Sequence, residues 1–291
     1  MSTSTGRAVL RFAPSPNGAL HLGHALSALV GFDMAQRLGG RFLVRIEDID
    51  TVRCPRHLAD AALADLAWLG VRWEKPVLTQ SEHFASYAAA AGQLDAMGLL
   101  YPCFATRGEI QAAARPGEAD PDGAPLYPGI WRGAPPADLI AWRACNAPAA
   151  KRLDMARALK VAGISAAKPL TFIALDEGGA AKLVVARPER WGDVVLVRKG
   201  TPTSYHLSVV VDDARQGVTH VTRGLDLLAA TDLHRLLQVL LGLPEPIYHH
   251  HRLLTDEAGR KLAKSARDTP LSRLRAGGTP PAEVRRMIGL P

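Results

Sequence analysis

Cysteine is scarce in this 291-residue chain, with Cys54, Cys103 and Cys145 its three thiols. Their odd number and wide spacing exclude a disulfide framework and a four-cysteine metal site, so reduced thiols are expected. Long apolar runs are missing too, and no stretch is apolar enough to cross a bilayer. Residues 1–7 are polar and lack the apolar centre of a secretory signal, so a cytoplasmic protein without a membrane partner is expected. No internal repeat or long low-complexity tract is present, which excludes a solenoid.

What is there suits a globular protein. Hydrophobic residues make up 47% of the chain and charged ones 22%, enough for one substantial core plus a small second domain or a large insertion. A formal net charge of +7 suits a polyanionic partner through counterion release, a weak signal when taken alone.

The pattern along the chain alternates. Residues 8–12 form a short apolar run that ends in a Pro/Asn/Gly turn, and residues 20–37 then carry apolar side chains at helical spacing. A second apolar run at 41–46 leads into Glu47, Asp48 and Asp50, and 55–69 returns to helical periodicity. This predicts an α/β fold with a doubly wound parallel sheet. From 101 to 148 the texture is Gly, Pro, Ala and Arg with little periodicity, which reads as an insertion. Regular structure resumes at 182–185 and 193–198, 205–212 is an apolar run ending on two aspartates, and the second half of the sheet is expected in this region. Residues 225–241 predict an amphipathic helix interrupted by Thr231 and Asp232, and a last helix is expected from Pro281. His249, His250 and His251 are consecutive, so their side chains point in different directions. A strand end or loop fits them better than a metal site.

Two strings carry chemistry. His21 and His24, three apart at the start of a helix and flanking Gly23, share one face directly after a tight turn. The helix start offers unpaired N–H groups and a positive dipole end, which together with two imidazoles suit a triphosphate. Far downstream, Lys261, Lys264 and Ser265 place two ammonium groups on a basic loop suited to clamping phosphoryl charge. Read singly, the first string is better explained as a capped helix with surface histidines, and the second as a solvated basic loop.

Together, His21-Leu22-Gly23-His24 and Lys261-Leu262-Ala263-Lys264-Ser265 resemble the HIGH and KMSKS signatures of the class I aminoacyl-tRNA synthetases. The context Arg11-Phe12-Ala13-Pro14-Ser15-Pro16 resembles the glutamyl and glutaminyl branch. The resemblance extends through Arg45 to Asp50, through Tyr205 with residues 209–213, and through 218–224. It implies a Rossmann-like catalytic core in two halves, 1–100 and 193–250, around an inserted acceptor-type subdomain at 101–192. Residues 251–291 would form the KMSKS-like loop and a tail. The implied catalytic residues are His21, His24, Lys261 and Lys264, with ATP held by His21, Gly23, His24 and Lys264 and accompanied by Mg²⁺. The implied glutamate pocket is Arg11, Phe12, Ala13, Pro14, Ser15, Glu47, Tyr205 and Arg223. Glu47 would hold the α-ammonium, the two arginines would pair with carboxylate oxygens, and Tyr205 would donate its hydroxyl.

Only residues 266–291 follow the second signature, too few for a long helical anticodon-binding region. The chain resembles the truncated glutamyl-queuosine tRNA(Asp) synthetase family, and Ile46 to Asp50 and Arg223 to Thr231 are worded as in that family. The resemblance implies tRNA-independent activation of L-glutamate and its transfer to queuosine at the wobble position of tRNA(Asp), by a monomer. Two alternatives stay open: a compact glutamyl transferase for a tRNA 3′ end or another carrier, and a degenerate synthetase-like RNA-binding protein. Many members of the family hold zinc in the insertion through a CxC pair, a Tyr and a further Cys. Here the matching positions are Cys103, Ala105, Tyr127 and Trp131, and one thiolate with one phenol cannot make a four-coordinate site. Zinc is therefore expected to be absent, with apolar packing around Phe104 and Trp131 in its place.

Overall fold

The computed structural model describes residues 6–145, 147–254 and 269–291. Its strands are β1 Val9–Phe12, β2 Arg41–Ile46, β3 Leu78–Thr79, β4 Leu100–Cys103, β5 Ala150–Leu153, β6 Thr171–Leu175, β7 Ala181–Val185, β8 Val195–Val197, β9 His220–Gly224 and β10 Ile247–His251. Its helices are α1 Leu22–Arg37, α2 Arg56–Trp68, α3 Phe84–Ala96, α4 Arg107–Ala113, α5 Pro136–Ala144, α6 Met155–Val161, α7 Tyr205–Arg215, α8 Leu228–Leu241, α9 Leu271–Ala276 and α10 Pro281–Met287.

Seven strands form one sheet in the order β3-β2-β1-β9-β10-β6-β7, and three form a second in the order β4-β5-β8. The large sheet is parallel except for its edge hairpin, where β7 runs antiparallel to β6. Period-two alternation splits its strands between two layers. Leu10 and Phe12 of β1 and Phe42 and Val44 of β2 join a core with α1, α2, α9 and α10. Arg11 and Arg45, on the same strands, turn to the opposite face and meet α7. Gly31 lets α1 lie close on the sheet, since a Cβ there would sit 2.6 Å from Thr222 Oγ1. From β1 the chain moves outward to β2 and β3, and returns on the other side of β1 with β9 and β10. The strand order therefore reverses between β1 and β9, and a crevice opens there at the carboxyl ends.

The α/β expectation is met, with three differences in detail. The β6/β7 hairpin lies within 101–192, the segment read as an insertion, yet it extends the large sheet through β10. β8 lies within 193–250 but pairs with β5 of the small sheet. The apolar run at 205–212 is helix α7, whose buried residues include Val209, Val210, Asp212 and Asp213. The predicted helix at 225–241 begins as a short 3-10 turn, Leu225–Leu227, and continues as α8. Its polar interruptions are buried, and Asp232 pairs with Arg190 at 2.5 Å. The three consecutive histidines lie in β10, and a final helix starts at Pro281 as expected. Among the described residues no helix is long and apolar enough to cross a membrane.

Candidate active site at the carboxyl edge of the sheet

Four chain segments converge on the crevice. β1 ends on Arg11 and Phe12 and passes into Ala13, Pro14 and Ser15. β2 ends one residue before Glu47, whose N–H donates to the Pro14 carbonyl at 3.0 Å. β9 brings Arg223, and α7 starts on Tyr205. They enclose a cleft of about 400 Å³ lined by all eight residues expected to receive an amino acid, together with His24. Ser27, Val209, Thr222, Gly224 and Leu227 also line it.

Beneath the cleft lies an ion network that the sequence reading did not assign. Asp213 of α7 accepts from Arg11 Nε at 2.9 Å and Nη2 at 3.1 Å, so Arg11 is gripped by both carboxylate oxygens. The same Asp213 Oδ1 accepts from Arg45 Nη1 at 2.8 Å. Arg45 in turn donates from Nη2 to Glu47 Oε1 at 3.0 Å, while Glu47 Oε2 has no hydrogen-bond partner among the described residues. Asp212, fully buried, accepts from Tyr87 Oη at 2.7 Å and Gln80 Nε2 at 2.8 Å. Burial alone would push the Asp213 carboxyl up, but the guanidiniums of Arg11 and Arg45 hold it down at about 2. For Glu47 the balance is reversed, and burial raises its carboxyl above the ordinary range despite Arg45 and Arg11. Glu47 is therefore an acid short of positive charge, on a wall that a cationic group can reach. The signal that could have found this network was charge in an apolar setting: Arg45 inside an apolar strand, and two aspartates closing an apolar run.

Arg223 is held differently. Its Nη2 donates to Thr231 Oγ1 at 2.6 Å, its Nε to His250 Nε2 at 3.3 Å, and its Nη1 meets His234 Nδ1 at 3.1 Å. Tyr205 closes this side, its ring 5.6 Å from that of His234.

The start of α1 forms the neighbouring end of the site. His21 is the N-cap, its Nδ1 accepting from the Gly23 N–H at 3.1 Å, and His24 Nδ1 accepts from the His21 N–H at 3.2 Å. Both imidazoles accept through Nδ1, so the proton of each sits on Nε2. They can thus donate to an anion at a helix start that favours negative charge. Gly23 is needed here, because a Cβ would lie 2.9 Å from His21 Cε1. Lys261 and Lys264 lie outside the described residues.

In the insertion, three of the positions matched to the family's zinc site, Cys103, Tyr127 and Trp131, form a hydrogen-bonded knot. Tyr127 Oη accepts from Cys103 Sγ at 3.4 Å and from the Trp131 N–H at 2.8 Å. The guanidinium of Arg152 sits 3.8 Å over the Tyr127 ring, and Phe104 meets Trp131 edge-on at 5.0 Å. Among the described residues no three His, Cys, Asp or Glu side chains gather in a way that could hold a metal.

The family profile described as "tRNA synthetases class I (E and Q), catalytic domain" matches residues 7–121 and 180–290. The Glutamyl-Q tRNA(Asp) synthetase of Rhodobacter capsulatus is 47% identical over 97% of this chain and 100% of its own length. The chain belongs to this synthetase family. A second Glutamyl-Q tRNA(Asp) synthetase, from Symbiobacterium thermophilum, is 39% identical over 94% of this chain and 83% of its own length. This synthetase is thereby a ligase of the aminoacyl-tRNA synthetase type. Among solved structures it resembles a glutamate tRNA ligase from Elizabethkingia meningosepticum in complex with its amino acid. The TM-score is 0.69 at 25% identity, over 89% of this chain and 52% of that one. It thus spans about half the length of that structure. A Mycobacterium tuberculosis methionyl-tRNA synthetase with methionyl-adenylate shares the fold, with a TM-score of 0.59 at 15% identity, over 97% of this chain and 64% of that one.

Proposed function

We propose that this synthetase activates L-glutamate with ATP, without tRNA, and transfers the glutamyl group to the cyclopentenediol of queuosine at the wobble position of tRNA(Asp). The observation that carries this reading is the convergence of Glu47, Arg11 and Arg223 on one cleft beside His24. One acid and two guanidiniums complement the ammonium and two carboxylates of glutamate. The names of the relatives, Glutamyl-Q tRNA(Asp) synthetases from R. capsulatus and S. thermophilum, support the acceptor.

The chemistry needs no covalent nucleophile from the protein. A glutamate carboxylate oxygen attacks the α-phosphorus of ATP, and the bond to the bridging oxygen of pyrophosphate breaks. An acceptor hydroxyl then attacks the carbonyl of the glutamyl-adenylate, AMP leaves, and the hydroxyl proton passes to solvent. Glu47 and the arginines fix the amino acid, while His21 and His24 donate to the phosphates at the positive end of α1. Lys261 and Lys264 supply positive charge to the phosphoryl transition state. Bound together with ATP, Mg²⁺ would neutralise part of the charge on its phosphates.

Glutamate-dependent ATP–pyrophosphate exchange should proceed without tRNA and vanish in Lys264→Ala, with RNA binding retained. Labelled glutamate should then be captured from bulk tRNA only by the queuosine-containing tRNA(Asp) fraction. Better charging of unmodified tRNA(Glu) would assign the acceptor to a tRNA 3′ end instead.

A further inference from the structure

Four arginine side chains are buried among the described residues: Arg11, Arg45, Arg223 and Arg235. Three have a carboxylate partner. Arg11 and Arg45 pair with Asp213 at 2.9 and 2.8 Å, and Arg235 pairs with Glu245 at 2.9 Å. Arg223, only 5% exposed, has no carboxylate within ion-pair distance among the described residues. Its three side-chain hydrogen bonds go to a hydroxyl and two imidazoles, and the guanidinium lies 5.4 Å from the centre of the Tyr248 ring.

The protons in this cluster can be assigned from donor and acceptor roles alone. A guanidinium only donates, so His234 Nδ1 and His250 Nε2 are both acceptors. His234 must then carry its proton on Nε2, which faces His206 Nδ1 at 3.2 Å and donates to it. Thr231 Oγ1 accepts from Arg223 and lies 3.0 Å from His250 Nε2, to which its own hydroxyl can donate. These contacts are all satisfied with the three rings neutral. Adding one to His234 Nδ1 or His250 Nε2 would turn an acceptor into a donor aimed at a cation. Burial and the Arg223 charge both work against that addition, holding His250 at about 3 and His206 at about 4, with His234 well below the ordinary imidazole range.

We infer that His234, His250 and Thr231 are positioning residues that orient Arg223 without neutralising it, so that the counter-ion of this buried guanidinium is a carboxylate of the amino-acid substrate. Arg11 differs in kind, since Asp213 has already matched its charge and it contributes mainly directed hydrogen bonds. The inference rests on the reading of the cleft as a glutamate site and adds which guanidinium supplies its unspent charge.

The test compares two nearly isosteric substitutions, His234→Asn and His234→Asp. Asparagine keeps a neutral acceptor near the place of Nδ1, whereas aspartate introduces the carboxylate that the cluster lacks. In ATP–pyrophosphate exchange, His234→Asn should keep the KM for glutamate within about threefold, while His234→Asp should raise it at least about tenfold with kcat and the KM for ATP little changed. The melting temperature of the ligand-free protein should move the other way, rising in His234→Asp relative to His234→Asn because a buried cation gains a partner. Equal KM values in the two variants, or a lower melting temperature in the aspartate variant, would overturn the inference. The pair His250→Gln and His250→Glu repeats the comparison at Nε2, and failure of all four variants to fold would mark the histidines as structural and overturn it too. Absence of glutamate-dependent exchange in the unaltered protein would sink the glutamate reading instead, and the melting-temperature contrast would still test the cradle.

Discussion

Arg45 and Asp213 meet at 2.8 Å, from a strand and a helix 168 residues apart, with the guanidinium wholly shielded from solvent. Asp213 reaches past this contact to clamp Arg11, and Arg45 reaches back to hold Glu47. One carboxylate and one guanidinium thus fix two of the groups that face the cleft. Removing one member of a buried pair leaves the other charge uncompensated, at a cost of about 3–5 kcal/mol. Asp213→Asn should lose stability on that scale in urea unfolding, and a loss below about 1 kcal/mol would show that the network does not brace the fold.

The two carboxyls of this network should separate in a pH titration. Asp213, held at about 2, stays ionised until strongly acid solution, so its contribution to stability is kept above the ordinary carboxylate range and lost only as pH falls toward that value. Glu47 is raised by burial, so the free cleft takes up a proton there at a higher pH than an exposed glutamate would. A bound ammonium favours the carboxylate and expels that proton. The KM for glutamate should therefore fall as pH rises through the Glu47 titration and then level off. In Glu47→Gln this acid limb should vanish and KM should be high throughout; an unchanged limb would assign the proton to another group.

Gly23 offers a test in which stability and activity part company. Alanine favours a helix over glycine by up to about 1 kcal/mol, and loss of an N-cap bond costs about the same. The Cβ of Gly23→Ala would lie 2.9 Å from His21 Cε1 and turn that ring out of its capping position. The melting temperature should change little, while exchange should fall at least about tenfold through lost donors to the phosphates. Retained exchange would show that the orientation of His21 is not needed.

The parallel core was legible because its elements obey one period each. β1, α1, β2 and α2 follow the apolar runs and helical spacing of the first 69 residues. Helix α7 was not, since the β-branched run Val209, Val210 and Val211 suits a strand as well as a helix. Its helical form depends on docking Asp212 and Asp213 against Arg45, Tyr87 and Gln80, partners distant in sequence. The cleft-facing residues were legible through the strings they sit in. What supports them was not, because Arg45, Thr231 and His234 gain meaning only from the group each one touches across the fold. Thr231 looked like a polar break in a helix and is a buried partner of Arg223.

The knot at Tyr127 sets the last prediction, which concerns how the insertion holds together. Tyr127 is 8% exposed, and its hydroxyl satisfies both a cysteine thiol and a backbone N–H from a separate turn. Nearby, Asp193 accepts from Tyr101 Oη at 2.5 Å and Arg132 Nε at 2.6 Å, and from the Met155 N–H at 3.0 Å, tying the same loop to the small sheet. These bonds close the region through side chains, where a metal would have closed it through thiolates. Tyr127→Phe keeps the ring under Arg152 but leaves the Trp131 N–H and the Cys103 thiol without their acceptor, so about 1–3 kcal/mol should be lost. Exchange of the Trp131 amide with solvent should quicken more than that of amides in β1 or β9, because the damage is local. A chelator should leave the melting temperature of the unaltered protein where it was. If chelation lowers it and added zinc restores it, the insertion is held by metal and the knot is not its main tie.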